Sequence, residues 1–130
     1  MDTKGDIAII GLGYVGLPLA VEFGKYRKVI GFDLDKDRII ELKQSIDRTL
    51  ETTPDEISSS HYLEFTHNQE SLSGASIYII SVPTPVDENK LPDTKALESA
   101  SETVATYLNK GDISLLYTSD AADEEDSVDL

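Results

Sequence analysis

The chain has 130 residues, room for one domain and not two. Its 39% hydrophobic and 28% charged residues supply a core and exclude wholesale disorder, and the absence of cysteine excludes a disulfide scaffold, a Cys-ligated zinc site and a cysteine nucleophile within these residues. A net charge of -14 repels phosphate backbones, so nucleic acid is not an expected partner. No apolar run approaches the roughly 20 residues of a membrane span, and residues 1–6 lack the pattern of a signal peptide. No membrane association is expected, and the simplest compartment is the cytoplasm.

Strand-like and helix-like segments alternate. Ile7–Ile10 (IAII) is a short apolar run closed by Gly11, the pattern of a buried strand. Residues 12–24 are apolar nearly all round, which suits a helix packed on a sheet, with Pro18 near its first turns where a missing N–H is tolerated. Val29–Asp33 predicts a second strand. Residues 36–50 predict a helix, with Ile39, Leu42 and Ile46 at helical spacing. Residues 52–60 are polar and predict a loop with at most a helical turn. Residues 62–66 alternate as a short strand, and ASIYIISV over 75–82 predicts a central strand. Pro83, Pro85 and Pro92 stiffen the next connection. Leu97, Ala100, Val104 and Leu108 then lie on one face of a helix over 94–110, with Gly111 as its stop. This alternation predicts an α/β fold, a Rossmann-type doubly wound parallel sheet with strand order 3-2-1-4-5.

The end of the chain departs from the pattern. Another strand is expected after Gly111, but LLYTSDAADE resembles the conceptual translation of a transposon-type sequencing adapter. The expected organisation is a domain over residues 1–114, incomplete at its C-terminal side, and a non-native, disordered tail over 115–130, the alternative being a natural acidic tail. That tail holds six acids and no base; without it the chain carries 19 acids against 11 bases.

Gly11-Leu12-Gly13-Tyr14-Val15-Gly16 fits G-x-G-x-x-G. Three glycines in six residues are weak evidence alone. Here they follow a predicted strand and open a predicted helix, and Asp33 stands 22 residues after Gly11, at the end of the next strand. That is the full dinucleotide-binding arrangement. Gly11 allows the turn out of the strand, Gly13 lets a pyrophosphate approach the backbone, and Gly16 lets the helix pack closely. The free N–H groups and dipole at the helix start favour the diphosphate. Asp33 can accept from the adenosine ribose hydroxyls and would repel a 2′-phosphate, so NAD is expected rather than NADP. The alternative is a structural turn with a surface Asp.

By spacing alone, Arg38 is either a solvated Arg at a helix start or a contact to the cofactor. Ser81-Val82-Pro83-Thr84-Pro85 follows the central strand, where such sheets bind ligands. It either walls the cofactor site, with the Thr84 hydroxyl available, or is only a stiff turn. His61 and His67 have no partner at metal-like spacing, so no metal site is expected. Nothing assembles a nucleophile, a base and an orienting group, so no catalytic residue is assigned.

IAIIGLGYVGLPLAVEFG, VIGFDLDKDRIIELKQSIDRTLE, SVPTPVDENKLPD and KGDI, in that order, resemble the N-terminal domain of the UDP-glucose/GDP-mannose dehydrogenases. DRTLE and VPTPVDENKLPD look closest to the branch that oxidises UDP-N-acetylhexosamines for bacterial surface polysaccharides of the Vi type. The resemblance implies oxidation of a nucleotide sugar at C6 to the carboxylate with two NAD, through a covalent cysteine adduct. It implies that Gly11, Gly13 and Gly16 hold the pyrophosphate, aided by the Tyr14 and Val15 N–H groups. Asp33 and Arg38 would bind the adenosine end, and Val82 and Thr84 would line the cleft. The full-length enzyme is expected to be a homo-oligomer taking a small-molecule nucleotide sugar. The family pattern continues past KGDI with a Ser-Thr-Val turn and, later, the catalytic cysteine, neither of which these residues contain. The chain alone is expected to be inactive. Two other readings remain open: a non-catalytic NAD-sensing module, and another NAD dehydrogenase with a similar start, such as a hydroxyacid type.

Overall fold

The computed structural model describes residues 6–83, 88–89, 91 and 94–119. Five parallel strands form one sheet in the order β3-β2-β1-β4-β5. They are β1 (Asp6–Ile10), β2 (Val29–Phe32), β3 (Leu63–Thr66), β4 (Ala75–Pro83) and β5 (Ile113–Ser119). This is the expected Rossmann-type order. β1 pairs with β2 through Ile9 against Gly31, and with β4 through Ile9 against Ile79.

The pleat explains why IAII is apolar throughout. Successive side chains point to opposite faces, and both faces are covered. Ile7 and Ile9 join one core with Leu17, Ala20 and Val21 of helix α1 (Gly16–Gly24), Ile39 and Leu42 of α2 (Lys36–Lys43) and Ile57 of α3 (Pro54–Ser59). Ala8 and Ile10 join the other core with Phe32, Tyr78 and Ile80, capped by Ala100 and Val104 of α4 (Lys95–Tyr107). Each fully buried Ile or Leu contributes roughly 1.5–3 kcal/mol. The buried Tyr78 hydroxyl donates to the Leu72 carbonyl at 2.9 Å, so a phenol is tolerated in the middle of the sheet.

Two expectations need correction. α2 ends at Lys43, not Leu50, because Ser45 takes φ 64° and closes a Schellman stop. Its N–H reaches the Leu42 carbonyl (2.9 Å), and the Ile46 N–H reaches that of Glu41 (2.9 Å). Ile46 is left half-exposed. Residues 54–59 form a true helix, begun by a reciprocal capping box between Thr53 and Glu56. β5 continues past Ser114, with residues 115–119 paired to 79–83. Residues 120–130 lie outside the described residues.

Candidate functional site

The carboxyl ends of β1, β2 and β4 meet at one rim, and the glycine loop crosses it. Gly11 leaves β1 at φ 102°, its N–H bonded to the Phe32 carbonyl at 2.8 Å. A Cβ there would fall on the carbonyl oxygen of Ser81. A Cβ on Gly16 would fall on the carbonyl oxygen of Gly11, so the helix starts hard against the strand's exit. A Cβ on Gly13, by contrast, meets no atom of the described residues within 4 Å. Gly11 and Gly16 are therefore required by the chain's own packing. Gly13 faces open space.

The Leu17 N–H donates to the Gly13 carbonyl at 3.2 Å, so α1 begins inside the loop. No side chain caps this helix at Val15, and its first turn contains no acidic residue. Its opening N–H groups and positive dipole end suit an anion.

A cleft of about 260 Å³ lies in front of the loop. Gly11, Leu12 and Gly13 of the loop line it, with Asp33 and Leu34 after β2 and Ser81 and Val82 of β4. Ala96, Ser99, Ala100 and Thr103 of α4 line it as well. The Thr103 hydroxyl is turned to the Ser99 carbonyl at 3.0 Å. Asp33 is fixed by two backbone donors: Leu12 N–H to Oδ2 at 2.9 Å and Asp35 N–H to Oδ1 at 3.0 Å. Each oxygen keeps acceptor capacity for a further donor.

Gly11, Gly13, Asp33 and Val82 thus share the cleft. Gly16 lies behind it. Tyr14 is exposed and Val15 half-buried at the helix start, and neither lines the cleft. Arg38 is neither solvated nor in the cleft. It is buried behind the loop, donating from Nε (2.9 Å) and Nη2 (2.6 Å) to the Leu12 carbonyl and from Nη1 (3.0 Å) to Asp47. Thr84 lies outside the described residues.

Sequence reasoning missed Asp47. Its side chain is fully buried. Oδ1 accepts from the Thr49 N–H (2.9 Å) and hydroxyl (2.6 Å), and Oδ2 from Glu51 N–H (2.9 Å), Thr52 N–H (2.9 Å) and the Thr52 hydroxyl (3.0 Å). Burial pushes this carboxyl up, but the Thr49 hydroxyl, the Thr52 N–H and Arg38 outweigh it and hold the group well below the usual carboxylate range. A signal existed: threonines two and five residues after an Asp are the donors of a carboxylate-centred turn.

Residues 5–119 match the UDP-glucose/GDP-mannose dehydrogenase family, NAD binding domain. The chain is 59% identical over 107 residues to a UDP-N-acetyl-D-glucosamine 6-dehydrogenase of Salmonella typhi, an overlap covering 82% of this chain and 25% of that protein. It is 50% identical over 125 residues to the enzyme of the same description from Pseudomonas aeruginosa, covering 94% of this chain and 29% of that one. Among solved structures it is similar to a UDP-D-ManNAc dehydrogenase from Pyrococcus horikoshii, with TM-score 0.76 and 31% identity over 87% of this chain and 28% of the other. The chain spans between a quarter and three tenths of these curated relatives.

Proposed function

The chain belongs to the UDP-glucose/GDP-mannose dehydrogenase family, as its NAD-binding domain, and from that premise we propose how the cleft holds the cofactor and which reaction it serves. The Gly11–Gly16 loop and the start of α1 take the diphosphate, with the Tyr14 and Val15 N–H groups turned to its oxygens. Asp33 accepts from the adenosine ribose hydroxyls, Val82 and Thr84 border the cleft toward the reacting end, and Arg38 supports the adenosine end from behind Leu12. NAD supplies the hydride acceptor. The reaction is oxidation at C6 of a UDP-N-acetylhexosamine for polysaccharide biosynthesis, by a cytoplasmic homo-oligomer of the full-length protein. This chain alone gives no turnover.

The observation that carries the reading is that Gly13 and Asp33 face one cleft at the carboxyl ends of the strands, where parallel sheets bind nucleotides. Isothermal titration of the chain with NAD and with NADP tests it. Tighter binding of NAD is expected, and equal or tighter binding of NADP overturns the cofactor assignment.

The wording LLYTSDAADE supports a further reading, that residues from about Leu115 onward are foreign to the domain even where they extend the sheet. The nucleotide sequence decides it. Codons that do not spell an adapter overturn it.

A further inference from the structure

Behind the glycine loop, four residues form a continuous chain of hydrogen bonds. Asp47 binds the Arg38 guanidinium at 3.0 Å, Arg38 holds the Leu12 carbonyl with two N–H groups, and the Leu12 N–H is bonded to Asp33 at 2.9 Å. Two of these residues, Leu12 and Asp33, line the cleft. The other two are buried, with side chains 6% and 0% exposed. The turn after α2 folds its own N–H groups and hydroxyls around the Asp47 carboxylate.

We propose that Asp47 is a positioning residue for cofactor choice: it anchors Arg38 on the back of the loop, its charge matched inside the protein, so that Asp33 alone addresses the 2′ position of the adenosine ribose. This rests on the NAD reading above. The chemical reason is that an Arg close after the second strand is the residue type that accommodates the 2′-phosphate of NADP. Arg38 stands five residues after Asp33 and has the right chemistry for that task. Three of its N–H donors are instead committed to Leu12 and Asp47. The Arg38–Asp47 pair is neutral as a unit, so it adds no net charge behind the loop that Asp33 holds. A planar guanidinium can hold a carbonyl and a carboxylate together in this way, and an ammonium cannot reproduce that fork.

The test is titration of the chain with NAD and NADP, for the wild type, Asp47→Asn and Arg38→Lys, with circular dichroism to establish folding. The wild type binding NAD more tightly than NADP is the premise, and its failure overturns the NAD reading before any variant matters. Asp47→Asn removes the matching charge, and a shift of the affinity ratio toward NADP of about fivefold is expected for a unit charge near a partly exposed site. A purely structural role would weaken both cofactors equally, and an equal loss, or an unchanged ratio, overturns the proposal. If Asp47→Asn does not fold, Arg38→Lys decides, because it keeps both charges while breaking the fork. A shift toward NADP of about twofold or more is expected there, and an unchanged ratio, or a shift away from NADP, overturns it.

Discussion

The carbonyl oxygen of Gly11 occupies the place where a Cβ on Gly16 would stand. The first and last glycines of the loop are thus required by each other, before any ligand is considered. Gly16→Ala must push the helix off the strand exit, and a loss of about 2–4 kcal/mol is expected. Gly13→Ala meets no atom of the described residues, so its cost should stay within about 1 kcal/mol while NAD affinity falls. Thermal unfolding and NAD titration of the two variants separate these effects. A Gly13→Ala protein that binds NAD as well as the wild type would remove Gly13 from the site.

Asp33 accepts the Leu12 N–H with one oxygen and the Asp35 N–H with the other, so it shapes the loop as well as facing the cleft. Asp33→Asn keeps an acceptor for Leu12 but loses the charge. NAD affinity should fall about tenfold, the usual worth of a charged hydrogen bond, while NADP affinity falls less or rises. Titration with both cofactors reads this directly. An equal loss for both would assign Asp33 to loop structure alone.

The fold was legible in the sequence because the two central strands, β1 and β4, are apolar on both faces, while α2 and α4 are apolar on one face only. IAII and ASIYIISV have no solvent-facing residue to confuse the period, and the glycine spacing fixed the first β-to-α corner. The end of α2 was not legible. Ile46 continues the 3.6 period from Ile39 and Leu42, and no glycine or proline marks the stop. Serine at positive φ carries no pattern of its own, and the turn exists through the Asp47 carboxylate, which collects donors from residues two to five positions away. The place of Arg38 was not legible for the same reason. Spacing located its Cα, but the choice between solvent, cofactor and the loop's own carbonyl was made by a partner nine residues on.

Asp47 also gives the fold an acid limit. Its folded pKa lies below the unfolded value of about 3.9. A lowered carboxylate stabilises the fold fully above the unfolded value and loses that contribution as pH falls through the folded one. Stability should therefore decline below about pH 4. The decline should be shallower in Asp47→Asn, which is less stable at neutral pH because Arg38 loses its buried partner. Urea unfolding at a series of pH values checks the slope.

Ser45 accepts a left-handed conformation at φ 64° to close α2, where glycine carries no Cβ penalty. Ser45→Gly should stabilise the domain by about 0.5–1 kcal/mol, after the larger chain entropy of an unfolded glycine is counted. The cost includes one exposed contact of 3.2 Å to the Ser58 hydroxyl, which is worth little at the surface. A higher midpoint in urea with an unchanged slope would register the gain. No change would mean that the turn is held by Asp47 without help from the helix stop.

Among the described residues β5 pairs with β4 alone, and Ile113, Leu115 and Leu116 are each at least half exposed on it. An edge strand with apolar side chains and unpaired backbone groups is a template for pairing with another chain. The isolated domain should therefore be weakly stable and prone to associate. Leu116→Lys places a charge on the exposed strand without touching the cleft, and should reduce association while leaving NAD affinity unchanged. Light scattering across a concentration series checks the first effect and titration the second. A wild-type domain that stays monomeric at high concentration and unfolds in one cooperative transition with a high midpoint would show that the exposed face of β5 carries no such liability.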